Sequence, residues 1–246
     1  MKGKLIVIEG TDGSGKTVQT QLLMDRLRAQ HVPVDTLSFP SYHEPSAVPV
    51  ERYLRKEFGS PHDLGPYIPS AFYASDRLVK AIMVLVPGLE GGMNFVLNRY
   101  TGSNAGHQGG KIRDDAAREA YLNWLFQMEF EDMRIPHPDL TILLHLPASV
   151  GKQLAADKPI ADSAMVATGG VRKLDAHEED PYHLENAESA YLYVATKYPG
   201  WEIVRCLRPG LEDKVADLSV PASEKIRPRE DIHEEVYRHV KELFTV

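Results

Sequence analysis

The stretch "KLIVIEGTDGSGKT", residues 4–17, decides the fold because it joins an apolar run directly to a glycine-rich turn. An apolar run this short, closed by a glycine, predicts a strand that is buried on both faces. The following residues, 14–30, predict a helix whose leucines and Met24 give it one apolar side. The stretch therefore predicts strand, loop and helix in immediate succession.

The loop in this stretch, "GTDGSGKT", fits the pattern G-x-x-x-x-G-K-[ST]. Its glycines let the backbone wrap an anion with the N–H groups pointing inward, and the helix N-terminus adds partial positive charge. Lys16 can then bridge the β- and γ-phosphates of a nucleotide, and Thr17 can bind Mg²⁺. The sequence predicts a triphosphate site formed by Gly10, Thr11, Asp12, Gly13, Ser14, Gly15, Lys16 and Thr17.

Asp12 is the unusual residue of this loop. A carboxylate among phosphate-binding amides would be repelled by the nucleotide unless it pointed away from it. We expect it to face the hydroxyl of a second ligand or a metal-bound water. The alternative is a carboxylate that caps the helix.

Strands and helices alternate through the rest of the chain. Four further strands are predicted at "VDTLSF" (34–39), "NFVLN" (94–98), "DLTILLHL" (139–146) and "WEIVRC" (201–206). Helices are predicted over 69–85, 114–133, 148–156, 181–198 and 229–244, with a short helical piece near "VERYLRKEF" in the otherwise irregular residues 41–68. The stretch after Arg99, rich in serine, asparagine, histidine and glycine, predicts a loop. The pattern predicts an α/β protein of one domain, a five-stranded parallel sheet with helices on both faces. Ligands bind beyond the carboxyl ends of such strands.

Composition limits the classes of partner. The 246 residues carry a net charge of −7, which argues against binding DNA or RNA by bulk electrostatics, so an anionic ligand needs a local cationic site. The single cysteine, Cys206, cannot form an internal disulfide; we expect a core thiol and a cytoplasmic protein. No apolar run approaches the ~20 residues of a membrane span, and the first apolar run is too short for the core of a signal peptide, so we expect neither.

A second site is predicted at the same edge of the sheet. "FPSY" (39–42) ends the second strand, "FYASDR" (72–77) lies on the next helix, and Arg99 ends the third strand. Two arginines, Arg77 and Arg99, can clamp a phosphate monoester, and Tyr73, one turn before Arg77, can stack on a base. The alternative for Arg77 is a solvated helix arginine, and for Arg99 a strand-end ion pair.

These segments together resemble the thymidylate kinase family over almost the whole chain. The loop is similar to G-x-[DE]-G-x-G-K-T, "FPSY" to F-P-x-Y, "FYASDR" to F-x-A-x-R, and "NRYTGSNAGHQGG" (98–110) to D-R-Y-x-x-S-N-x-x-Y. Residues 172–195 resemble the segment after the family's lid, and 227–240 its last helix. The resemblance implies a P-loop NTPase fold of the nucleoside monophosphate kinase type, with a lid at about 157–174.

The resemblance also implies an activity, the transfer of a phosphoryl group from ATP to dTMP with Mg²⁺. It implies that Arg77 and Arg99 hold the dTMP phosphate, that Tyr73 stacks on thymine, and that Ser103 and Asn104 face the base. The implied acceptor site comprises Asp12, Phe39, Pro40, Tyr42, Tyr73, Arg77, Arg99, Ser103, Asn104, His107 and Glu178.

Further roles follow from the same likeness. Asp12 would meet the sugar 3′-hydroxyl or the metal shell, and Glu178 would lie near the acceptor or metal. Because Gly13 replaces the basic residue that some members carry in the loop, a lid arginine is expected to act, with Arg172 and Lys173 the candidates. The expected catalytic residues are Lys16, Arg99, Arg172 and Asp12.

Three residues depart from the family pattern. Asn98 stands where aspartate is usual, His107 where a tyrosine crowds the ribose 2′ position, and His145 where an acidic residue is often found. His107 keeps open a kinase for another monophosphate, such as dUMP, or for a nucleoside. Asn98 and His145 keep open a regulator that switches on ATP or GTP without catalysis. The family also suggests a homodimer, for which the helix at 114–133 is either a contact face or part of the core.

Overall fold

The computed structural model describes residues 2–157 and 182–244. Five strands form one sheet: β1 (Leu5–Glu9), β2 (Val34–Ser38), β3 (Asn94–Asn98), β4 (Leu140–His145) and β5 (Trp201–Arg205). The strand order is β2-β3-β1-β4-β5, and every neighbouring pair is parallel. The predicted fold class is confirmed, and each strand ends within about one residue of its predicted bounds.

The described helices are α1 (Lys16–Ala29), α2 (Val48–Leu54), α3 (Pro61–Leu64), α4 (Tyr67–Lys80), α5 (Val86–Glu90), α6 (Thr101–His107), α7 (Asp115–Phe126), α8 (Ala148–Asp157), α9 (His183–Lys197), α10 (Ala222–Lys225) and α11 (Arg229–Lys241). Two π-helical segments extend them: Ala81–Leu85 joins α4 to α5, and Gln127–Asp132 continues α7.

Two predictions from the sequence were wrong in these connections. The helix expected to stop before Pro87 continues to Glu90, because the π-helical segment Ala81–Leu85 leads without a break into α5, whose first turn contains Pro87. The polar stretch after Arg99, expected to be a loop, is the helix α6.

Two of the hydrophobic clusters of the core lie on opposite faces of the sheet. Ile6 and Ile8 of β1 belong to the cluster that includes residues of α1 and α11, while Leu5 and Val7 belong to the cluster that includes residues of α5 and the π-helical segment before it. Because alternate side chains of one strand enter different clusters, helices cover both faces, as predicted.

The register of the strands brings their carboxyl ends together. Asn98 at the end of β3 lies beside Ile8 of β1 and Ser38 of β2. The glycine-rich loop, Pro40 and Arg99 therefore all leave the sheet at one edge.

Among residues 2–157 and 182–244, no helix has the length and apolarity needed to cross a membrane. Cys206 is buried, and burial raises the pKa of its thiol to about 12, so the predicted core thiol is confirmed.

Candidate active site at the carboxyl edge of the sheet

The loop between β1 and α1 curves tightly. Gly10, Gly13 and Gly15 have φ values of 147°, 84° and 91°, which L-residues rarely adopt. A Cβ atom on Gly10 would lie 2.6 Å from the carbonyl oxygen of Leu144. The glycines therefore permit a backbone path along which the amides can surround an anion.

The side chain of Lys16 folds back onto this loop. Its Nζ atom donates to the carbonyl oxygens of Gly10 at 3.0 Å and Thr11 at 2.8 Å. Burial, aided by the nearby positive charge of Arg99, lowers the pKa of Lys16 to about 7 although Asp12 opposes the change. An anion bound in the loop would supply negative charge that stabilises the ammonium form.

Asp12 forms an ion pair with Arg99, whose Nη2 donates to Oδ1 of the carboxylate. Burial acts to raise the pKa of Asp12, but Arg99 and Lys16 outweigh it and hold that pKa well below its usual range. No side chain caps α1, which Gly15 precedes, so the helix-cap alternative for Asp12 is wrong. Asp12 thus holds Arg99 beside the phosphate loop.

Arg99 is held at both of its terminal nitrogens. Its backbone has a φ of 69°, a left-handed conformation that is uncommon for a residue with a side chain. Besides Nη2 on Asp12, its Nη1 lies 3.1 Å from Nε2 of His107. The ion pair expected as the alternative role of Arg99 is present, and it points the guanidinium along the same edge as the phosphate loop.

Glu9 lies fully buried at the end of β1. Its carboxylate accepts hydrogen bonds from the Tyr100 amide at 2.7 Å, the Ser103 hydroxyl at 2.7 Å and the Tyr191 hydroxyl at 3.0 Å. Burial raises the pKa of Glu9 despite these donors and Arg99. The sequence analysis missed this residue, although a charged side chain at the end of an apolar strand was the available signal. Ser103, expected to face a base, bonds to Glu9 instead.

Arg77 lies in the interior rather than in the cleft. Its side chain is 1% exposed, and Nε and Nη2 donate to the two carboxylate oxygens of Glu129 at 2.7 and 2.5 Å. Only Nη1 is turned elsewhere, 3.4 Å from the Tyr100 carbonyl oxygen. The solvated-arginine alternative is wrong, and the edge of Arg77 expected to clamp a phosphate is occupied by Glu129 in this structure.

The remaining predicted acceptor residues differ in exposure. Tyr42 is 51% exposed, whereas Phe39 is buried and packs against Tyr100. Tyr73 is half-buried, and its ring meets that of Tyr53 edge-on with centroids 6.4 Å apart. Tyr73 can therefore offer a ring that a second aromatic side chain supports.

Asn104 is buried and joins two helices. Its Nδ2 donates to the Ser70 carbonyl oxygen of α4 at 3.1 Å. Tyr121 donates its hydroxyl to the Asn104 carbonyl oxygen at 3.2 Å. These bonds fix α6 against α4, so Asn104 helps to form the wall of the cleft.

Asn98, at the end of β3, and Thr17, in the first turn of α1, lie in contact beside the glycine-rich loop. Nδ2 of Asn98 contacts Oγ1 of Thr17 at 3.2 Å. Oδ1 of Asn98 and Oγ of Ser14 are buried without a hydrogen-bond partner in the part of the chain that the structure describes. Neutral oxygens suit Mg²⁺, which relies on phosphate and water for its other ligands. The residues present fit such an ion, and within residues 2–157 and 182–244 no cluster of three His, Cys, Asp or Glu side chains offers another metal site.

His145 serves as a link between the sheet and α9. Its Nε2 lies 2.8 Å from Oε1 of Glu188, whose Oε2 accepts from the Ala148 amide at 2.8 Å. Burial acts to raise the pKa of Glu188, but these two partners lower it overall. The family often has an acidic residue at the position of His145. In this chain the histidine instead binds the carboxylate of Glu188.

Arg172, Lys173 and Glu178 lie outside the described residues, as does nearly all of the predicted lid. The structure brings together the loop at 10–17, Asp12, Arg99 and His107, with Tyr42 and Tyr73 on the elements beside them.

Comparison with known proteins shows which proteins this chain is similar to. A family model described as thymidylate kinase matches residues 8–167. The chain is 29% identical over 201 residues to a thymidylate kinase of Mycobacterium tuberculosis (strain ATCC 25618 / H37Rv), covering 80% of this chain and 87% of that protein. It is 32% identical over 164 residues to a thymidylate kinase of Afipia carboxidovorans, covering 65% and 68%. It is also 32% identical over 147 residues to a probable thymidylate kinase of Pyrococcus abyssi, covering 60% and 67%.

Proposed function

The chain belongs to the thymidylate kinase family, and from that membership we propose that it transfers the γ-phosphoryl group of ATP to dTMP, giving ADP and dTDP. The observation that carries the proposal is the position of Arg99 beside the loop at 10–17, where Asp12 joins the two. A phosphate held by the loop and a second phosphate held by Arg99 would lie at one edge of the sheet.

The loop and Lys16 would hold the donor. The backbone amides and the N-terminus of α1 would bind the phosphates, and Lys16 would exchange its bonds to the loop carbonyl oxygens for bonds to phosphate. Phosphoryl transfer passes through a loose transition state, so positioning and charge neutralisation supply most of the catalysis. Lys16 and Arg99 provide positive charge on either side of the transferred group.

Mg²⁺ would be held by Thr17 directly, with the Asn98 amide oxygen orienting its water ligands. When bound, it would neutralise charge on the phosphate oxygens and hold them in place. Because Asn98 is neutral, binding of the metal would depend more on Thr17, Asp12 and the phosphates themselves.

The acceptor would lie between α4 and α6. Arg99 would bind its phosphate with Tyr42 nearby, and Tyr73 would stack on the base. Arg77 would reach the acceptor only through Nη1, because Glu129 holds its other two donor nitrogens. Ser103 and Asn104 would shape the wall through their bonds to Glu9 and Ser70.

The resemblance adds contacts from the second half of the chain. Arg172 would approach the transferred phosphoryl group, and Glu178 would lie near the acceptor or the metal. Closure of the segment at about 157–174 would exclude water, which would otherwise accept the phosphoryl group. We propose that these parts and the sheet form one kinase domain.

Association of two copies is also proposed. Four apolar side chains on α4 and the π-helical segment after it are exposed: Ile68, Val79, Ile82 and Met83. Leu122 and Leu125 of α7, by contrast, lie in the core, so α4 offers the better contact face. We place the dimer in the cytoplasm, where Cys206 would stay reduced.

The experiment that tests the function is an ADP-release assay with Mg²⁺-ATP and dTMP, dUMP, UMP, dCMP, dGMP or thymidine as acceptor. A strong preference for dTMP is the expected result, with Lys16→Ala inactive. Comparable turnover of UMP would show that the protein is a kinase of broader acceptor range and not a specific dTMP kinase. Binding of dTMP without turnover of any acceptor would contradict the proposed reaction and favour a regulator.

A further inference from the structure

Two histidines from distant parts of the chain meet behind Arg99. His107 ends α6 and His183 begins α9. Nδ1 of His107 lies 3.1 Å from Nε2 of His183, and the two rings meet edge to edge in nearly one plane, with centroids 5.3 Å apart and an interplanar angle of 15°. Tyr191 of α9 meets the His107 ring edge-on at 5.7 Å. His183 is buried, so the pair belongs to the interior wall of the cleft.

The guanidinium of Arg99 decides where the protons of this pair lie. Arginine can only donate hydrogen bonds, so Nε2 of His107, 3.1 Å from Nη1, must accept. His107 is then neutral and carries its proton on Nδ1. That proton points to Nε2 of His183, which must accept in turn and carry its own proton on Nδ1. The hydrogen bonds run in one direction, from Arg99 through His107 to His183.

We propose that His183 is a positioning residue for Arg99, acting through the ring of His107. The proposal rests on the proposed function, in which Arg99 binds the phosphate of the acceptor. The bond from His107 to His183 restrains the imidazole ring in the orientation that presents Nε2 to Arg99. Without that restraint His107 would orient the guanidinium of Arg99 less well, and the guanidinium could shift toward Asp12, which binds its other terminal nitrogen.

The arrangement also makes α9 part of the acceptor site. Tyr191 of the same helix binds Glu9 and touches the His107 ring, so two residues of α9 act on the surroundings of Arg99. A small shift of α9 would change both bonds and with them the orientation of the guanidinium.

The first test is kinetic. His183→Phe keeps a planar aromatic ring at this position and removes the acceptor nitrogen, whereas His183→Gln retains an acceptor atom. We expect His183→Phe to raise the KM for dTMP about tenfold, the effect of about one lost hydrogen bond, with the KM for ATP unchanged. His183→Gln should restore most of the loss, and His62→Phe, which replaces a fully exposed histidine, should have no effect. Equal changes in both KM values, or no rescue by Gln, would overturn the proposal.

The second test needs no turnover and therefore separates this proposal from the proposed function. Nitrogen NMR of histidine-labelled wild-type protein at pH 8 reports which ring nitrogen carries the proton. Both His107 and His183 should carry it on Nδ1, and His183→Gln should leave His107 in that form. A proton on Nε2 of either ring would overturn the positioning role even in an active dTMP kinase. If the protein shows the predicted tautomers but does not phosphorylate dTMP, the hydrogen-bond chain is supported and the proposed function is contradicted.

Discussion

Arg77 and Glu129 form a two-pronged ion pair in the interior, with the side chains 1% and 0% exposed. Thr101 adds a third hydrogen bond to the same carboxylate at 2.8 Å. The pair joins α4 to the π-helical segment Gln127–Asp132, and Thr101 ties the start of α6 to the same carboxylate. From this position the pair holds the wall of the cleft in place, because Glu129 connects the helix that carries Tyr73 to the helix that carries Asn104.

Removal of the charge on Glu129 should lower the free energy of unfolding of the protein. Glu129→Gln keeps the shape of the side chain but leaves the Arg77 guanidinium buried without a counter-charge, which costs about 3–5 kcal/mol. Urea denaturation would measure the loss in the free energy of unfolding. The matched control is Glu234→Gln, which breaks the exposed pair with Arg26 and should change little. Similar small effects of both substitutions would show that Arg77 has another way to compensate its charge.

Binding of Mg²⁺-ATP should be coupled to proton uptake by Lys16. Burial lowers the pKa of this lysine to about 7, so at pH 8 it is mostly neutral in the free protein. Phosphate charge raises that pKa, and the lysine then takes up a proton. Calorimetric titrations at pH 8 in two buffers of different ionisation enthalpy would reveal the uptake. It should disappear in Lys16→Met, and an unchanged uptake in that variant would assign the proton to another group.

Much of this edge of the sheet could be predicted from sequence because its signals are local. An apolar run, a glycine-rich loop and the spacing of Tyr73 and Arg77 each lie within a few residues. The partner of Arg77 could not be predicted this way, since Glu129 is 52 residues away in the sequence, on the π-helical segment that continues α7.

The helix α6 shows a second limit of local signals. Its glycines predict a loop, but in the structure they are needed for close packing between elements. A Cβ atom on Gly106 would overlap the ring of Tyr191 in α9, and one on Gly102 would lie 2.7 Å from the Trp201 ring. Contacts with neighbouring elements therefore stabilise α6 in spite of the low helix propensity of glycine.

The residue at position 98 should set the requirement for Mg²⁺. Asn98→Asp adds a negative charge beside the Thr17 hydroxyl, where the buried Asn98 oxygen lacks a partner among the described residues. We expect the Mg²⁺ concentration for half-maximal turnover to fall severalfold, because the metal gains an anionic neighbour. Turnover measured against free Mg²⁺ is the test, with Asn98→Ala as the control that should shift it upward. Identical Mg²⁺ curves for all three proteins would place the metal away from this residue.

A charge on the exposed apolar face of α4 should prevent association. Met83 is 72% exposed and Ile82 64%. Met83→Asp would place a carboxylate in the proposed contact between two copies, where it would lose water without gaining a partner. Size-exclusion chromatography with light scattering should show a dimer for the wild type and a monomer for the variant. Leu218→Asp, which changes an exposed leucine elsewhere, should remain dimeric; a monomeric wild type would contradict the proposal.

Neutralising Glu9 should stabilise the protein above its carboxyl pKa. Burial raises this pKa above the ordinary value of 4.5, so folding favours the protonated form. The stabilising contribution is complete below about pH 4.5 and is lost as the pH rises through the raised pKa, so at pH 8 the charge opposes folding.

Glu9→Gln avoids that cost while keeping an oxygen for the Tyr100 amide, and its amide nitrogen can donate to the hydroxyl oxygens of Ser103 and Tyr191. We expect the variant to exceed the wild type in free energy of unfolding at pH 8 and the two to converge toward pH 4.5. Urea denaturation across this range measures both. A wild type that stays the more stable at pH 8 would mean that attraction between Glu9 and Arg99 exceeds the cost of burying the carboxylate. In that case Glu9 would be a counter-charge that holds the guanidinium at the edge of the sheet.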